Sequence, residues 1–328
     1  MTDARKANRY RDLGEAVWDA AIADVLIPMV EGLALDTTAL VAECRTGLLN
    51  GRLSRAVPMI RRIMAVDPDR DLLDAARGQE PGPVSVFFQT QSVRTLTFAD
   101  DVFGLSLCAP LTGSVADVLN SLSELARVTA PGGWILFAVP GADSLGFMDE
   151  LLNETAVALP DAGASIEEWR DTRTTAAPIL AAGSALQIEW VDSGALTVPV
   201  TFESAEHVWE HPVVGEAFAP RWQAVGDDAE SRERIAADLR NRLIRYYAGG
   251  AVGSELQALW FLGRVVEAAP MQVSDEDVIG SEVLVAPAAS FQPPAPAEHT
   301  LAVDLSDIVS QEALAVEEEA LDFGKRKA

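Results

Sequence analysis

The sequence predicts an α/β fold built on a doubly wound, mostly parallel β-sheet. Short apolar runs of strand length alternate with amphipathic helical stretches over residues 39–139, and strands separated by helices pair in parallel through right-handed crossovers. The chain has 328 residues with 49% hydrophobic side chains, which is enough for a sizeable buried core. Because no apolar run approaches the ~20 residues of a membrane-spanning helix, we expect a globular protein without a transmembrane segment.

Residues 1–35 are predicted to form an N-terminal helical cap. Apolar side chains recur there at spacings of three and four residues, which is the pattern of an amphipathic helix. Pro28 interrupts this stripe and should kink or split the helix. The stripe consists of Trp18, Ile22, Val25, Leu26, Met29 and Leu33.

Residues 36–270 carry the elements of the predicted α/β domain. The helix before the fifth strand should end at Pro131-Gly132-Gly133, because glycine just past a helix end favours a turn. We predict strands over residues 39–43, 60–66, 84–88, 104–109 and 134–139, and helices over residues 48–58, 69–77 and 115–128.

The rest of the domain is predicted to hold an antiparallel hairpin and a helical insertion. Two alternating segments, 186–191 and 196–202, flank Asp192-Ser193-Gly194, which is a turn signal. A charged helical insertion follows over residues 203–247. Residues 256–266 are apolar enough to supply a last core element.

Residues 271–328 are predicted to form an acidic, largely disordered tail. They contain 12 acidic and 3 basic side chains, with four prolines between residues 287 and 296, a composition too poor in apolar surface to offset the entropy of ordering. Apolar residues punctuate the carboxylates over 301–323 and allow one short docking helix. We therefore expect this tail to bind a protein partner, the alternative being a tail that only solubilises the chain.

The charge and the cysteine content restrict partners and compartment. Fifty acidic against 25 basic side chains give a net charge of −25, which repels phosphate backbones and anionic membranes, so we expect no nucleic-acid and no membrane partner. Cys44 and Cys108 are the only cysteines and are interpreted as small core residues, and residues 1–11 are too polar for a signal-peptide core. We expect a cytoplasmic, reduced protein.

Three segments occur in an order typical of one enzyme family. They are Ala65-Val66-Asp67-Pro68 at the end of the second strand, Leu96-Thr97-Phe98-Ala99-Asp100 with Phe103-Gly104, and Arg127-Val128-Thr129-Ala130-Pro131-Gly132-Gly133. Together they resemble the class I S-adenosylmethionine-dependent methyltransferases of the small-molecule type. The resemblance implies a Rossmann-like doubly wound sheet of the class I methyltransferase type, with a C-terminal antiparallel hairpin and a helical cap.

The resemblance also implies where a cofactor would bind. Asp67 stands where the family's acidic residue takes the two ribose hydroxyls, since a carboxylate accepts two hydrogen bonds side by side. Gly47 is the surviving glycine of the family's glycine-rich loop, Glu43 replaces another glycine, and Ser92 falls near the acidic residue that holds the adenine amino group. These four are the candidate cofactor-binding residues; no catalytic residue and no metal ligand is identified.

The loop after the first strand departs from the family pattern. It reads Val41-Ala42-Glu43-Cys44-Arg45-Thr46-Gly47 where the family has Asp-x-Gly-x-Gly-x-Gly, and Gly104 replaces the acid of a Phe-Asp pair. A buried polar group without its partner costs about 1–3 kcal/mol. We therefore expect weak or no binding of S-adenosylmethionine, with the side chains of Glu43 and Arg45 in or beside the space of its methionine moiety.

Several of these residues have a simpler interpretation. Asp67 could be a turn residue before a proline. Glu43 and Arg45 could form a new polar site, although a mutually paired, solvent-facing loop is favoured. His207 and His211, four residues apart, could supply two metal ligands or a general base, but no third ligand is suggested and a surface pair is favoured.

Two functions from different classes remain. The favoured one is a methyltransferase-like protein that does not catalyse and acts through binding, as a regulator or assembly partner, with no cofactor. The alternative is an active S-adenosylmethionine-dependent methyltransferase on a small molecule, which holds its cofactor by Asp67, Gly47 and backbone groups. The loop over residues 41–47 discriminates between them.

Overall fold

A seven-stranded mixed sheet forms the centre of the protein in the computed structural model, which describes residues 3–267 except 32, 34, 80, 81, 113 and 227. The strands are β1 (Thr38–Ala42), β2 (Arg62–Asp67), β3 (Val86–Thr90), β4 (Phe103–Cys108), β5 (Thr129–Pro140), β6 (Ile188–Phe202) and β7 (Val252–Val265). Their order is β3-β2-β1-β4-β5-β7-β6. Strands β1 to β5 are parallel, whereas β7 runs antiparallel to both of its neighbours. This arrangement confirms the predicted fold class.

Helices cover both faces of the sheet and its C-terminal edge. They are α1 (Asp3–Arg9), α2 (Ala20–Leu26), α3 (Pro28–Glu31), α4 (Leu48–Ala56), α5 (Arg70–Arg77), α6 (Val115–Val128), α7 (Gly146–Ala158), α8 (Gly163–Asp171), α9 (Ala176–Ala185), α10 (Ala205–Glu210), α11 (Pro212–Ala217), α12 (Ala219–Ala224) and α13 (Ala229–Tyr246). A π-helix (Tyr10–Asp19) joins α1 to α2, and a short 3₁₀ helix (Pro160–Ala162) precedes α8.

The core lies on both faces of the sheet, because successive residues of a strand point to opposite sides. In β1, Val41 packs with Leu49 of α4, whereas Leu40 belongs to the core on the other face with Leu122 of α6. Strands buried on both faces appear in the sequence as continuous apolar runs. This is why β1 and β4, which are almost wholly buried, were predictable from apolarity alone.

The N-terminal helices depart from a regular α-helix at two places. The stripe is split as predicted, because α2 ends at Leu26 and α3 begins at Pro28. The π-helix before α2 was not predicted, and a π-helix longer than one turn is rare. Gly14 permits it, because a Cβ at this position would lie 2.8 Å from the ring of Tyr10.

The predicted hairpin within residues 186–202 is wrong in position. Residues 188–202 form one strand, β6, and the antiparallel pair is β6 with β7. Gly194 therefore does not serve a turn. It lies opposite Trp260 of β7, and a Cβ on Gly194 would come within 2.6 Å of that indole ring. Helices α10 to α13 connect the two strands.

Arg127 joins two of the sequence motifs. Its guanidinium donates to the carbonyl oxygens of Leu96 (3.0 Å) and Phe98 (2.9 Å), and to the carboxylates of Asp100 (2.7 Å) and Glu124 (2.9 Å). The arginine at the end of α6 thus fastens the segment that precedes β4. The segment Leu96–Asp100 and the segment that begins at Arg127 are thus in direct contact in the structure.

Gly104 was counted among the departures that weaken a cofactor site, and this interpretation is wrong. Gly104 is near the start of β4, at the edge of the sheet opposite the carboxyl ends of the parallel strands. Its N–H donates to the hydroxyl of Thr37 (3.0 Å), and a Cβ would lie 2.4 Å from the same oxygen. The missing side chain makes room for Thr37.

The described part of the chain belongs almost entirely to one compact unit, Met1–Val266, and a second unit comprises Glu267–Ala328. No helix of the described part has both the length and the apolarity needed to cross a membrane. The predicted tail, residues 271–328, lies outside the described residues.

Candidate functional site

The candidate site lies at the carboxyl ends of β1, β2 and β4. The strand order reverses between β1 and β4, and ligands of open α/β sheets bind outside the strand ends at such a reversal. The loop over residues 43–47 follows β1, Asp67 ends β2, and Ala109 follows β4. Glu43, Gly47 and Asp67 therefore meet here, whereas Ser92 lies in the loop after β3.

The loop after β1 has a glycine-like backbone although two of its residues are not glycine. Glu43 and Arg45 have φ values of 53° and 46°, and Gly47 has a φ of 93°. Left-handed backbone at a residue with a Cβ costs about 1–3 kcal/mol, so the surrounding contacts must hold this turn. Gly47 also allows α4 to approach α5, since a Cβ there would lie 3.1 Å from the Cβ of Ala76.

Asp67 ties the loop after β1 to the start of α5. Its side chain is buried, and its two oxygens accept the backbone N–H groups of Arg45 (2.8 Å) and Asp69 (2.8 Å). Burial raises the pKa of Asp67, although the two N–H groups oppose this shift. These contacts are those of a turn residue, the simpler interpretation of Asp67. Its role as a ribose ligand stays a prediction.

Arg45 is buried and does not face solvent, so the predicted solvent-facing loop is wrong. Only 1% of the residue is exposed. The guanidinium donates to the Asp19 carboxylate through Nε (3.0 Å) and Nη2 (2.6 Å), and to the carbonyl oxygen of Ala109 (2.9 Å). Burial opposes the charge, yet Asp19 and other neighbours raise the pKa of Arg45 well above its usual value. The side chain thus bridges the loop after β1, the residue after β4 and the π-helix.

Aromatic side chains of the π-helix enclose this ion pair. The Arg45 guanidinium carbon lies 5.7 Å from the centre of the Tyr10 ring, which is within range of a cation–π contact. The indole N–H of Trp18 donates to the carbonyl oxygen of Ala109 (3.1 Å), which also accepts from Arg45. Tyr10, Trp18 and Asp19 are each 1% exposed. The ion pair is therefore shielded from water, which strengthens its electrostatic attraction.

The carboxylate of Glu43 lies near the backbone N–H of Val93, in the loop after β3. Burial and the nearby carboxylate of Asp67 raise the pKa of Glu43 to about 7, with a further contribution from Glu216 of α11. Arg45 and the backbone N–H of Val93 act in the opposite direction. The predicted pairing of Glu43 with Arg45 is therefore wrong in its main partner, because Arg45 forms its ion pair with Asp19.

Ser92 is next to the contact between Glu43 and Val93 but forms a local turn. Its hydroxyl accepts the N–H of Arg94 (3.2 Å), and its carbonyl oxygen accepts the N–H of Thr95 (3.1 Å). The residue that points towards Glu43 is its neighbour Val93. The predicted role of Ser92 at a cofactor stays a prediction.

Replacement of Glu43 by glutamine should flatten the dependence of stability on pH. The pKa of Glu43 in the folded chain, about 7, exceeds its ordinary value of 4.5, so its stabilising contribution is complete below about pH 4.5 and is lost as the pH rises through 7. We expect the free energy of unfolding to fall over this interval, and Glu43→Gln to remove about 3 kcal/mol of the fall. Urea unfolding at several pH values measures this.

The matched control is Glu189→Gln, which makes the same change at an exposed position of β6. It should leave the curve of the wild type unchanged. If the free energy of unfolding of Glu43→Gln changes with pH in parallel with that of the wild type from pH 4.5 to 8, the pKa of Glu43 is not raised in the folded chain.

The two histidines do not form the predicted surface pair. Helix α10 ends at Glu210, so His211 is not on the same helix as His207, and it is buried against the ring of Phe202 at 5.4 Å. Burial lowers the pKa of His211 to about 4, assisted by His207 and Arg9. In the described part of the chain, no group of three or more His, Cys, Asp or Glu residues is arranged to hold a metal ion.

The two cysteines are buried and free, in agreement with their interpretation as core residues. Burial raises the pKa of both Cys44 and Cys108. A thiol with a raised pKa is a poor nucleophile, because the thiolate is the reactive form.

Four residues of the π-helix meet the candidate site and were not predicted as site residues. These are Tyr10, Glu15, Trp18 and Asp19, of which Glu15 bonds the hydroxyl of Thr46. A signal for two of them was present. Glu15 and Asp19 continue the three- and four-residue spacing of the apolar stripe towards the N-terminus, so two carboxylates stand at positions that should face the core.

Comparison with known proteins gives the following matches. Residues 42–137 match the family model described as a methyltransferase domain. The uncharacterized methyltransferase YcgJ of Bacillus subtilis (strain 168) is 27% identical over 188 residues, which are 53% of this chain and 70% of that protein. An uncharacterized 37.1 kDa protein in transposon TN4556 of Streptomyces fradiae is 28% identical over 108 residues, 33% of this chain and only 31% of the relative. The crystal structure of YcgJ aligns with a TM-score of 0.48 at 19% identity, covering 75% of this chain and 98% of that chain.

Proposed function

We propose that this chain is a member of the class I S-adenosylmethionine-dependent methyltransferase family that transfers no methyl group and acts by binding. The match of residues 42–137 to the family model of a methyltransferase domain supports the family. The role of the protein is that of a regulator or assembly partner. The proposal rests on one feature of the candidate site, the buried ion pair between Arg45 and Asp19.

The ion pair stands where a ligand of this fold would enter. Arg45 crosses from the loop after β1 to the carbonyl oxygen of Ala109 after β4, which is the position of the strand-order reversal. A ligand that displaced Arg45 would have to separate it from Asp19 within a buried site. Separating such a pair costs about 3–5 kcal/mol, because each charge loses its partner without regaining water.

The other candidate residues are also engaged. Both oxygens of Asp67 accept backbone N–H groups, and the carboxylate of Glu43 lies near the backbone N–H of Val93. The two charged residues that replace the family's glycines thus contact the protein itself: Arg45 contacts Ala109 after β4, and Glu43 contacts Val93 after β3. These residues do not fit S-adenosylmethionine.

One observation favours the alternative, an active methyltransferase on a small molecule. Glu43 and Arg45 keep the left-handed backbone that a glycine-rich loop would adopt, and Asp67 and Gly47 are retained. An enzyme of this kind would require Arg45 to swing out of the site whenever the cofactor binds.

Calorimetric titration with S-adenosylmethionine and S-adenosylhomocysteine tests the proposal. We expect the full-length chain to give no saturable binding. An affinity in the low-micromolar range that is lost in Asp67→Asn, with the variant still folded by circular dichroism, would support the enzyme instead.

The double variant Asp19→Ala with Arg45→Gly identifies the cause. It removes both charges of the pair together, so no uncompensated charge stays buried. If this variant binds S-adenosylmethionine, the ion pair is what prevents binding in the wild type. If neither chain binds, the losses at Val41 and Ser92 are sufficient to abolish binding.

We also propose that the acidic segment 301–323 binds a protein partner with a basic surface. Its composition supports this, since apolar residues alternate there with carboxylates and such segments become ordered on a partner. Truncation after residue 270 should preserve the free energy of unfolding and remove a partner recovered by the full chain in a pull-down. If the shortened chain recovers every partner, the tail only solubilises. The cytoplasmic location and the absence of nucleic-acid and membrane partners stay predictions.

A further inference from the structure

A second concave site, which we call the aromatic crevice, lies at the carboxyl end of β5. It is separate from the Arg45 site and shares no residue with it. Its apolar walls are Leu145, Met148, Trp169, Phe218 and Trp222. The space between them is narrow and holds at most about one water molecule, so any larger occupant must widen it.

The aromatic crevice contains a buried hydroxyl that is unsatisfied. Thr174 lines it and is 1% exposed, and its hydroxyl has no hydrogen-bond partner in the described part of the chain. The position of Thr174 is fixed, because its carbonyl oxygen accepts the N–H of Ala142 (2.8 Å). A buried hydroxyl without a partner is unfavourable. It therefore favours an occupant that carries one hydrogen-bonding group.

The charges at the mouth of the aromatic crevice neutralise each other. Arg173 bonds the carboxylate of Asp149 (2.8 Å), and its guanidinium carbon lies 5.4 Å from the centre of the Trp169 ring. The arginine side chain is 23% exposed, so it separates the crevice from solvent at this point. Because the pair has no net charge, the crevice selects for a neutral occupant.

The rim contains strained backbone. Leu145 is 1% exposed and has a φ of 56°, a left-handed conformation that is unfavourable for a branched side chain. Residues with strained backbone persist where many surrounding contacts hold them in place, and they cluster at binding sites.

We propose that the aromatic crevice binds a small, neutral, flat apolar molecule with one hydrogen-bonding group, which Thr174 contacts. Three aromatic walls favour a flat molecule, and the single unsatisfied hydroxyl favours one polar group. This inference does not depend on whether the Arg45 site binds a cofactor.

Titrations with phenol and toluene test the inference by ligand-observed nuclear magnetic resonance. The two probes have similar size and differ by one hydroxyl. We expect both to bind the full-length chain, phenol more tightly, and Thr174→Val to weaken phenol about fivefold while toluene is unaffected. Thr197→Val, the same change at an exposed position of β6, should alter neither.

The variant Ala142→Leu places a larger side chain in the lining of the aromatic crevice and should abolish binding of both probes. A cooperative thermal unfolding transition establishes that this variant is folded. Three results would overturn the inference: no saturable binding of either probe to the wild type, an unchanged phenol-to-toluene ratio in Thr174→Val, or unchanged binding in a folded Ala142→Leu. Failure of the methyltransferase-like proposal appears in the S-adenosylmethionine titration instead, so the two outcomes are distinguishable.

Discussion

Replacement of Asp19 by alanine is expected to lower the free energy of unfolding by about 3–5 kcal/mol. The variant leaves Arg45 buried with its positive charge uncompensated, and its Nε and Nη2 groups lose the oxygen that accepts from both. Because the whole stability of a domain is only about 5–15 kcal/mol, such a loss would be a large part of the total. Urea unfolding followed by circular dichroism measures it.

Two further variants make the result specific to the buried pair. Asp24→Ala removes the acidic partner of Arg52 from an exposed pair in the same helical segment, and exposed pairs contribute little. The combination Asp19→Leu with Arg45→Met replaces the buried pair by apolar side chains of similar volume and should regain much of the loss. If Asp19→Ala is no more harmful than Asp24→Ala, Arg45 is not held by Asp19.

The fold was predictable where the local sequence pattern agreed with the strand pairing between residues far apart in the chain. Helix α6 was predicted with the bounds Val115–Val128 that the structure has, because its apolar stripe is regular. The predicted turn at Pro131-Gly132-Gly133 is wrong, since these residues lie within β5, which begins at Thr129 directly after the helix. The hairpin was misplaced because Asp192-Ser193-Gly194 is a good local turn signal, whereas its pairing partner in β7 is about 70 residues later. Strand pairing of this kind overrides local preference.

The candidate site was predictable only in part, for a related reason. Carboxyl ends of parallel strands meet at one edge, so the order of the motifs was enough to bring Glu43, Gly47 and Asp67 together. The partner of Arg45 was not predictable from the motifs, because Asp19 is 26 residues earlier in a segment assumed to be a regular helix. A π-helix changes which side chains share a face, and the assumed period of 3.6 residues does not apply to it.

Asp67→Ala is expected to lower the free energy of unfolding by about 2–4 kcal/mol in the absence of any ligand. Its carboxylate is the acceptor for the N–H groups of Arg45 and Asp69, and alanine leaves both without that partner. The loss of a buried carboxylate with a raised pKa offsets part of this cost. Urea unfolding of the variant measures the balance, and the result bears directly on whether Asp67 is a turn residue or a ligand residue.

The control is Asp69→Ala, two residues later. Asp69 caps α5 by accepting the N–H groups of Asp71 and Leu72, and the loss of such a cap costs about 1 kcal/mol. We expect Asp67→Ala to exceed this cost clearly, because Asp67 also holds the left-handed turn at Arg45. If Asp67→Ala is as stable as the wild type, its carboxylate is dispensable for folding. The resemblance of its position to that of the family's acidic residue would then favour a role in binding a ligand. That result would support the alternative proposal, an active methyltransferase.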